Sequence, residues 1–510
     1  MDGLCTLRDV LFANPKINAN RPAVFIDSHW VTFGQLQEGV SAVASALHRD
    51  GIRFGDRVAL LLENSLEYIV SFFAVTGIGA IAVPLNSRLH PSEHAKLLRD
   101  AETKLLVAAA AFEKSIAEVH SQLPELPRIV IVGVGGAGQE SFSAWSGNPG
   151  VMPVGDMLDP STVASIVYTS GTTSRPKGVV LTHGNYLADI SNVAAAARLD
   201  STSINLQLSP LYHAAGIHSL AHLAVGGGTI LNRHFDVEQA FDLIERERVT
   251  YFFSVPTALY QMMDHPRVKS VDLTALRTIS YGAAAMTPAR MREATALFGP
   301  ILIHAYGLTE TTSHASVLTA AEHAVAFGSV GRGIGQSEIK VVDDSGRACA
   351  PGEIGEIAIR GPNIMAGYWR QPEAAAEIIH DGWLRSGDLG RIDAGGYVYV
   401  VDRKKDLVIS GGVNIYSREI EDLVAEHPDV AEVAVVGVPD AHWGESVVAV
   451  VVPRPGATIV PAAILEFCRR RIGGFKVPKR VEFLPELPKN ASGKVLKMEL
   501  RKSLGGGGTD

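Results

Sequence analysis

Residues 165–178 read Ser-Ile-Val-Tyr-Thr-Ser-Gly-Thr-Thr-Ser-Arg-Pro-Lys-Gly. The apolar run Ser165–Tyr168 reads as a buried strand, and it passes directly into a loop of small and hydroxylic residues. Small residues let backbone N–H groups close on a phosphate. Thr169, Ser170, Thr172 and Thr173 add hydroxyl donors, Gly171 keeps the turn open, and Lys177 adds a positive charge. Such a loop suits a nucleotide triphosphate. The P-loop pattern G-x-x-x-x-G-K-[ST] is not met, because Pro176 takes the second glycine's place and Gly178 the hydroxyl's. A solvated Ser/Thr/Gly turn is the ordinary reading of such a composition.

Helical and strand patterns alternate around this loop. Thr32 and Gln35 have capping-box spacing, Leu36, Val40, Val43, Ala44 and Leu47 follow at helical spacing, and Gly51 is placed to end that helix. Val58–Leu62, Ile81–Val83, Ile129–Val132 and Tyr251–Phe253 are continuous apolar strands, as in parallel sheet buried on both faces. Tyr68–Leu85 carries Gly77, Gly79 and Pro84, and reads as a buried helix running into a buried strand, not a membrane span. From about Val330 to Tyr399, short alternating strands between Gly- and Pro-rich turns suggest a small antiparallel sheet or barrel. The charged run Asp402–Asp406 then marks a boundary. The fold expected is α/β: a large N-terminal domain, 1–402, of mostly parallel sheets flanked by helices, and a small mobile α+β domain, 403–510.

With 510 residues, the chain is too long for one core. Its net charge of −8 argues against general nucleic-acid binding. Three cysteines, far apart, support neither a disulfide framework nor a Cys-rich zinc site. No signal-peptide pattern opens the sequence. A cytoplasmic protein without integral membrane contact is expected, and a homodimer stays open.

Further motifs follow in order. Tyr168–Gly178 resembles the signature Y-T-S-G-T-T-G-x-P-K-G of the adenylate-forming superfamily of acyl-CoA synthetases, luciferases and peptide-synthetase adenylation domains, with Ser174 where glycine is usual. Tyr306-Gly307-Leu308-Thr309-Glu310 resembles the family's Y-G-x-T-E. The resemblance implies that Tyr306 stacks on adenine, Thr309 contacts the α-phosphate and Glu310 holds Mg²⁺. Gly282-Ala283-Ala284 resembles the small-residue strand end beside the adenine. Ser386-Gly387-Asp388 resembles the motif whose aspartate accepts from the ribose, and Arg403 its arginine partner. Lys494, in Pro488–Lys494, resembles the lysine that reaches from the small domain to the reacting carboxylate and phosphate. Lys405 stands at the family's hinge. Gly411 and Gly412 would line the pantetheine path after rotation.

His213, in Ser209–Gly216, resembles the histidine near the substrate carboxylate in fatty-acyl and aryl-CoA ligases. His213, Ala214, Gly216, Ser254, Ala283 and Ala285 suggest an apolar acid pocket. Trp443 and Phe475 match aromatics that some aryl-CoA ligases place around the adenine of CoA, and Lys479 is a candidate to meet its phosphates. The resemblance therefore implies an ATP-dependent carboxylate–CoA ligase working through an acyl-adenylate, with ATP, Mg²⁺ and coenzyme A. Its acid would be a medium- or long-chain fatty acid or a benzoate- or hydroxycinnamate-like aromatic acid. The alternative is a stand-alone adenylating enzyme that loads a carrier-protein thiol.

Overall fold

The structure is a computed structural model that describes residues 3–123, 128–134, 140–148, 150–153, 158–169, 176–213, 215–284, 286–489 and 495–505. Ser170–Thr173, Ala214, Ala285 and Lys494 lie outside the described residues.

Local signals set the elements. Thr32 and Gln35 form the expected reciprocal cap of the helix Phe33–Arg49, whose Leu36, Val40, Val43, Ala44 and Leu47 are buried. Gly51 follows at φ +80°, a backbone region closed to most side chains. Tyr68–Leu85 resolves into the helix Leu66–Gly77 and the strand Ile81–Pro84.

Two large sheets frame the N-terminal part. One has nine strands, with Ile204–Gln207, Tyr251–Ser254, Thr278–Gly282 and Leu302–Tyr306 side by side and parallel. The other has eight and includes the parallel strands Arg57–Leu61, Ile81–Pro84, Leu105–Ala109 and Arg128–Val132. Helices Phe33–Arg49, Leu66–Gly77, His183–Ala196 and Gly216–Ala224 share one apolar cluster with residues of both sheets, so they form a layer between them. Fully burying each Leu, Phe or Val in such a layer contributes about 1.5–3 kcal/mol. The strand Val163–Thr169 lies parallel to Ile81–Pro84 but pairs antiparallel with the next strand, Lys177–Thr182. The phosphate-loop sequence therefore joins two antiparallel strands.

A five-stranded sheet of antiparallel pairs follows within Glu338–Arg403, as the change of texture predicts. Beyond the 3₁₀ turn Lys404–Asp406, a second five-stranded sheet packs with the helices Ser417–Val424 and Pro461–Arg469. The sequence reading leaves out the last helix, Lys497–Gly505, whose Leu500 is buried against this sheet. Cys5, Cys349 and Cys468 are free. Among the described residues, no helix is long and apolar enough to cross a membrane.

Candidate active site

In parallel sheets, functional groups collect where strands end at their carboxyl side. Here Thr278–Gly282 and Leu302–Tyr306 run parallel with Gly282 opposite Ala305. A Cβ on Gly282 would lie 2.4 Å from the Ala305 carbonyl oxygen, so only glycine fits. Ala283 turns away at φ +65°, and Ala284 follows it. The small residues thus end a strand beside Tyr306.

The Tyr306 hydroxyl donates to Asp388 Oδ2 at 2.8 Å, and Arg403 Nε lies 3.2 Å from Asp388 Oδ1. Asp388 and Arg403 are direct cross-strand partners, which explains why motifs 15 residues apart in sequence meet. Asp388 is 3% exposed. Burial, and then the Asp388 carboxylate, push the Tyr306 phenol well above its ordinary range. The phenol therefore stays protonated as a donor to Asp388, which has a guanidinium beside it.

Thr169 and Lys177 face each other across the antiparallel pair at the mouth of the phosphate-loop sequence. Lys177 Nζ sits 5.0 Å from the ring centroid of Tyr368. The Tyr368 hydroxyl donates to Glu310 Oε1 at 2.8 Å. The backbone of Glu310 is held as well, its carbonyl accepting from Met365 N–H at 2.9 Å. Tyr368 comes from a two-residue strand paired with Lys177–Thr182, and sequence reasoning missed it. The stretch Gly367-Tyr368-Trp369 carries no local pattern that would single it out.

A cavity opens beside this corner. His213, Gly216, Thr309 and Thr312 are among its lining residues, with the aromatic Tyr68, Phe72, Phe73 and Tyr186 and several aliphatic side chains such as Leu181 and Ile217. Phe72 and Tyr186 meet edge-on at 5.7 Å. Burial lowers the His213 imidazole to about 4, and its buried Nε2 has no protein partner. A neutral imidazole with an orphaned ring nitrogen is a polar group waiting for a ligand. The helix Leu66–Gly77 supplies a wall that the sequence reading assigned to core alone. Ser254 and Ala283 end neighbouring strands and are not among the lining residues.

His218 and His222 also have buried Nε2 atoms without a protein partner, but neither lines the cavity, and each has its Nδ1 bonded within the fold. His218 Nδ1 bonds the Tyr251 hydroxyl at 2.7 Å and His222 Nδ1 bonds the His218 carbonyl at 2.7 Å. No group of three or more His, Cys, Asp or Glu that could hold a metal occurs among the described residues.

In the C-terminal part, Gly411 (φ +58°) and Gly412 (φ +77°) form a two-residue hairpin between Val408–Ser410 and Val413–Ile415. The Trp443 ring packs on Gly411, where a Cβ would lie 2.9 Å from it. Lys479 Nζ lies 5.5 Å from that ring's centroid, and Trp443 is 43% exposed. Phe475 is exposed too and pairs with Lys476. The exposed Lys405 offers its carbonyl to Arg501 of the last helix at 2.9 Å.

Residues 11–369 match the AMP-binding enzyme family and residues 419–494 the AMP-binding enzyme C-terminal domain. The chain belongs to the AMP-binding enzyme family. It is thus an adenylate-forming ligase, as its motifs imply. It is 40% identical over 477 residues to a feruloyl-CoA synthase of an Amycolatopsis species, covering 93% of this chain and 94% of the relative. It is 37% identical to the indoleacetate–CoA ligase of Aromatoleum aromaticum, covering 95% of this chain and 96% of that one. Among solved structures it superposes on the anthranilate CoA ligase AuaEII in complex with anthranoyl-AMP with a TM-score of 0.91, at 28% identity over 98% of this chain and 97% of that one. The AMP-binding family thus accounts for the nucleotide motifs, and ligases acting with CoA are among the relatives that this chain resembles.

Proposed function

We propose that this AMP-binding enzyme activates an aromatic carboxylic acid with ATP and passes the acyl group to coenzyme A. One observation carries the reading: a single cavity is walled both by His213 and by Thr309, which stands three residues after the strand end Tyr306 and directly before Glu310. An acid in that cavity would present its carboxylate to a nucleotide held by Tyr306, Asp388 and Arg403. The aromatic side chains among its lining, Tyr68, Phe72, Phe73 and Tyr186, suit an aryl group, because rings favour edge-to-face contact. The named relatives handle ferulate, indoleacetate and anthranilate, which fits the same choice.

A carboxylate is a poor electrophile. Its oxygen attacks the α-phosphorus, pyrophosphate leaves, and the acyl-adenylate forms; the CoA thiolate then attacks the carbonyl carbon and AMP leaves. In this scheme Tyr306 stacks on adenine and Asp388 with Arg403 holds the ribose. Thr169, Lys177 and Thr309 meet the phosphates, with the loop Ser170–Thr173. His213 points its orphaned nitrogen at the substrate carboxylate. Lys494 stabilises the charge that builds on phosphorus. Glu310 fits magnesium: a hard carboxylate oxygen already oriented by Tyr368, beside the phosphate mouth, and that ion takes few protein ligands besides phosphate oxygens. When bound, the ion would neutralise phosphate charge. The N-terminal unit, 1–402, keeps the acid and nucleotide. The unit 403–510 turns about Lys405 to bring Gly411, Gly412, Trp443, Phe475 and Lys479 to CoA.

The test is incubation with ATP, Mg²⁺ and CoA and a panel of aryl, arylacetic, hydroxycinnamic and fatty acids, with AMP and pyrophosphate measured. Aryl acids giving CoA-dependent AMP support the reading. ADP as product, or AMP release indifferent to CoA, defeats it; fatty acids as the better substrates defeat the aromatic choice.

A further inference from the structure

The loop after Tyr306 is held in a conformation that its own residues disfavour. Thr312 has φ +62° and ψ −54°, and the Ser313 N–H donates to the Thr311 carbonyl at 2.7 Å. This is a three-residue turn of the rare, strained hand. A β-branched residue at its centre is out of place, since its two γ atoms crowd the backbone. Such a conformation persists only where the surroundings over-determine it.

Here they do. The Thr312 hydroxyl donates to the Asn363 carbonyl at 2.8 Å. The Asn363 side-chain amide donates to the carbonyls of Thr311 at 3.2 Å and His314 at 2.7 Å, while Ser337 donates to its Oδ1 at 2.8 Å. From the helix His183–Ala196, Asp189 accepts from the His314 backbone N–H at 3.2 Å and lies 3.3 Å from its Nδ1. Below the turn, a Cβ on Gly307 would sit 1.9 Å from the Ser313 carbonyl oxygen, so the chain can fold back only over glycine. Asn363 and Asp189 are both fully buried. The same turn meets the site directly: Thr312 and Thr309 line the cavity, the Thr312 N–H bonds the Thr309 carbonyl at 3.0 Å, and Glu310 between them takes the Tyr368 hydroxyl.

We propose that Thr312 is a positioning residue: its strained turn, clamped by Asn363 and Asp189, holds Thr309 and Glu310 in register with the cavity. This rests on the reading of that cavity as the acid pocket. Strain stored beside reacting groups replaces motion that a relaxed loop would have to suppress each time substrate binds.

Three variants test it. Glycine adopts φ +62° freely, whereas alanine keeps the penalty and loses the tie to Asn363. Thr312→Gly is therefore expected to melt about 2 °C or more above Thr312→Ala, the reverse of the usual order for these residues. In acid-dependent pyrophosphate release, both are expected to lose about tenfold or more in kcat with the KM for ATP within about threefold of wild type. Thr312→Ser, which keeps the hydroxyl tie, is expected to recover most of that loss. An alanine variant as heat-stable as the glycine one overturns the strain, and full kcat in Thr312→Gly overturns the positioning role. A wild type that releases no pyrophosphate with any acid defeats the ligase reading and the positioning role together, while the melting order still reports on the turn.

Discussion

The two halves of the site are built differently. The corner proposed to hold the nucleotide is a set of polar side chains bonded to one another: Tyr306 to Asp388, Asp388 to Arg403, Tyr368 to Glu310. The cavity beside it is the hollow side of a core, walled by Tyr68, Phe72, Phe73 and Tyr186, with His213 as its buried polar handle. Polar geometry tolerates little exchange, because a buried group that loses its partner keeps the desolvation cost. An apolar wall tolerates changes of shape at modest cost. On the proposed reading, chemistry is therefore fixed at the corner, and choice of acid can vary at the wall.

Experiments can sharpen or break that contrast. The largest effect is expected from Lys494→Ala: adenylation slower by about a thousandfold, with thioester formation from supplied acyl-adenylate largely spared. Equal loss in both half-reactions, measured separately, removes Lys494 from the adenylation step. Next, Asp388→Ala strips the Tyr306 hydroxyl and Arg403 of a shared partner. The KM for ATP should rise by about 30- to 100-fold, with the KM for the acid little changed; a parallel rise in both would mean that the corner and cavity are not separable. Third, Phe72→Leu removes the ring that meets Tyr186. It should raise the KM for an aryl acid by about three- to tenfold, lower the preference for aryl over alkyl acids, and leave the KM for ATP alone. No change in preference would reject the aromatic wall as a selector.

The smallest effect concerns protons. Burial holds His183, His213 and His222 at about 4, against about 6.5 when unfolded. Between those values the unfolded chain binds protons that the folded chain does not, so stability is full above pH 6.5 and falls as pH drops toward 4. The melting temperature should decline across that window while the pH–rate profile of adenylation above pH 6 shows no break from His213. A break near 6.5 that vanishes in His213→Gln would place a charged imidazole in the cavity.

What could be read beforehand follows the same division. Helix limits set by Thr32 and Gln35, the parallel strands, and the change of texture after Val330 rest on local pattern, and the structure has them within a few residues. Tyr306, Asp388 and Arg403 were named because each stands in a motif, and the cross-strand register of Asp388 and Arg403 brings them together. The cavity wall was not legible, because Tyr68, Phe72 and Phe73 repeat at helical spacing like any packed face, and packing alone decides which of them border a hollow. Tyr368 and Asn363 were missed for another reason: each works through a partner far along the chain, Glu310 and Thr311, and no local pattern reports that.

Tyr368 contacts both an ammonium, with Lys177 over its ring, and a carboxylate, with its hydroxyl on Glu310, and among the described residues these two charges form no direct ion pair. Had Lys177 and Glu310 closed on one another, an arriving polyanion would first have to pull them apart. If the proposed nucleotide site holds, such an aromatic spacer leaves both charges available to the incoming phosphates without their having paired with each other first.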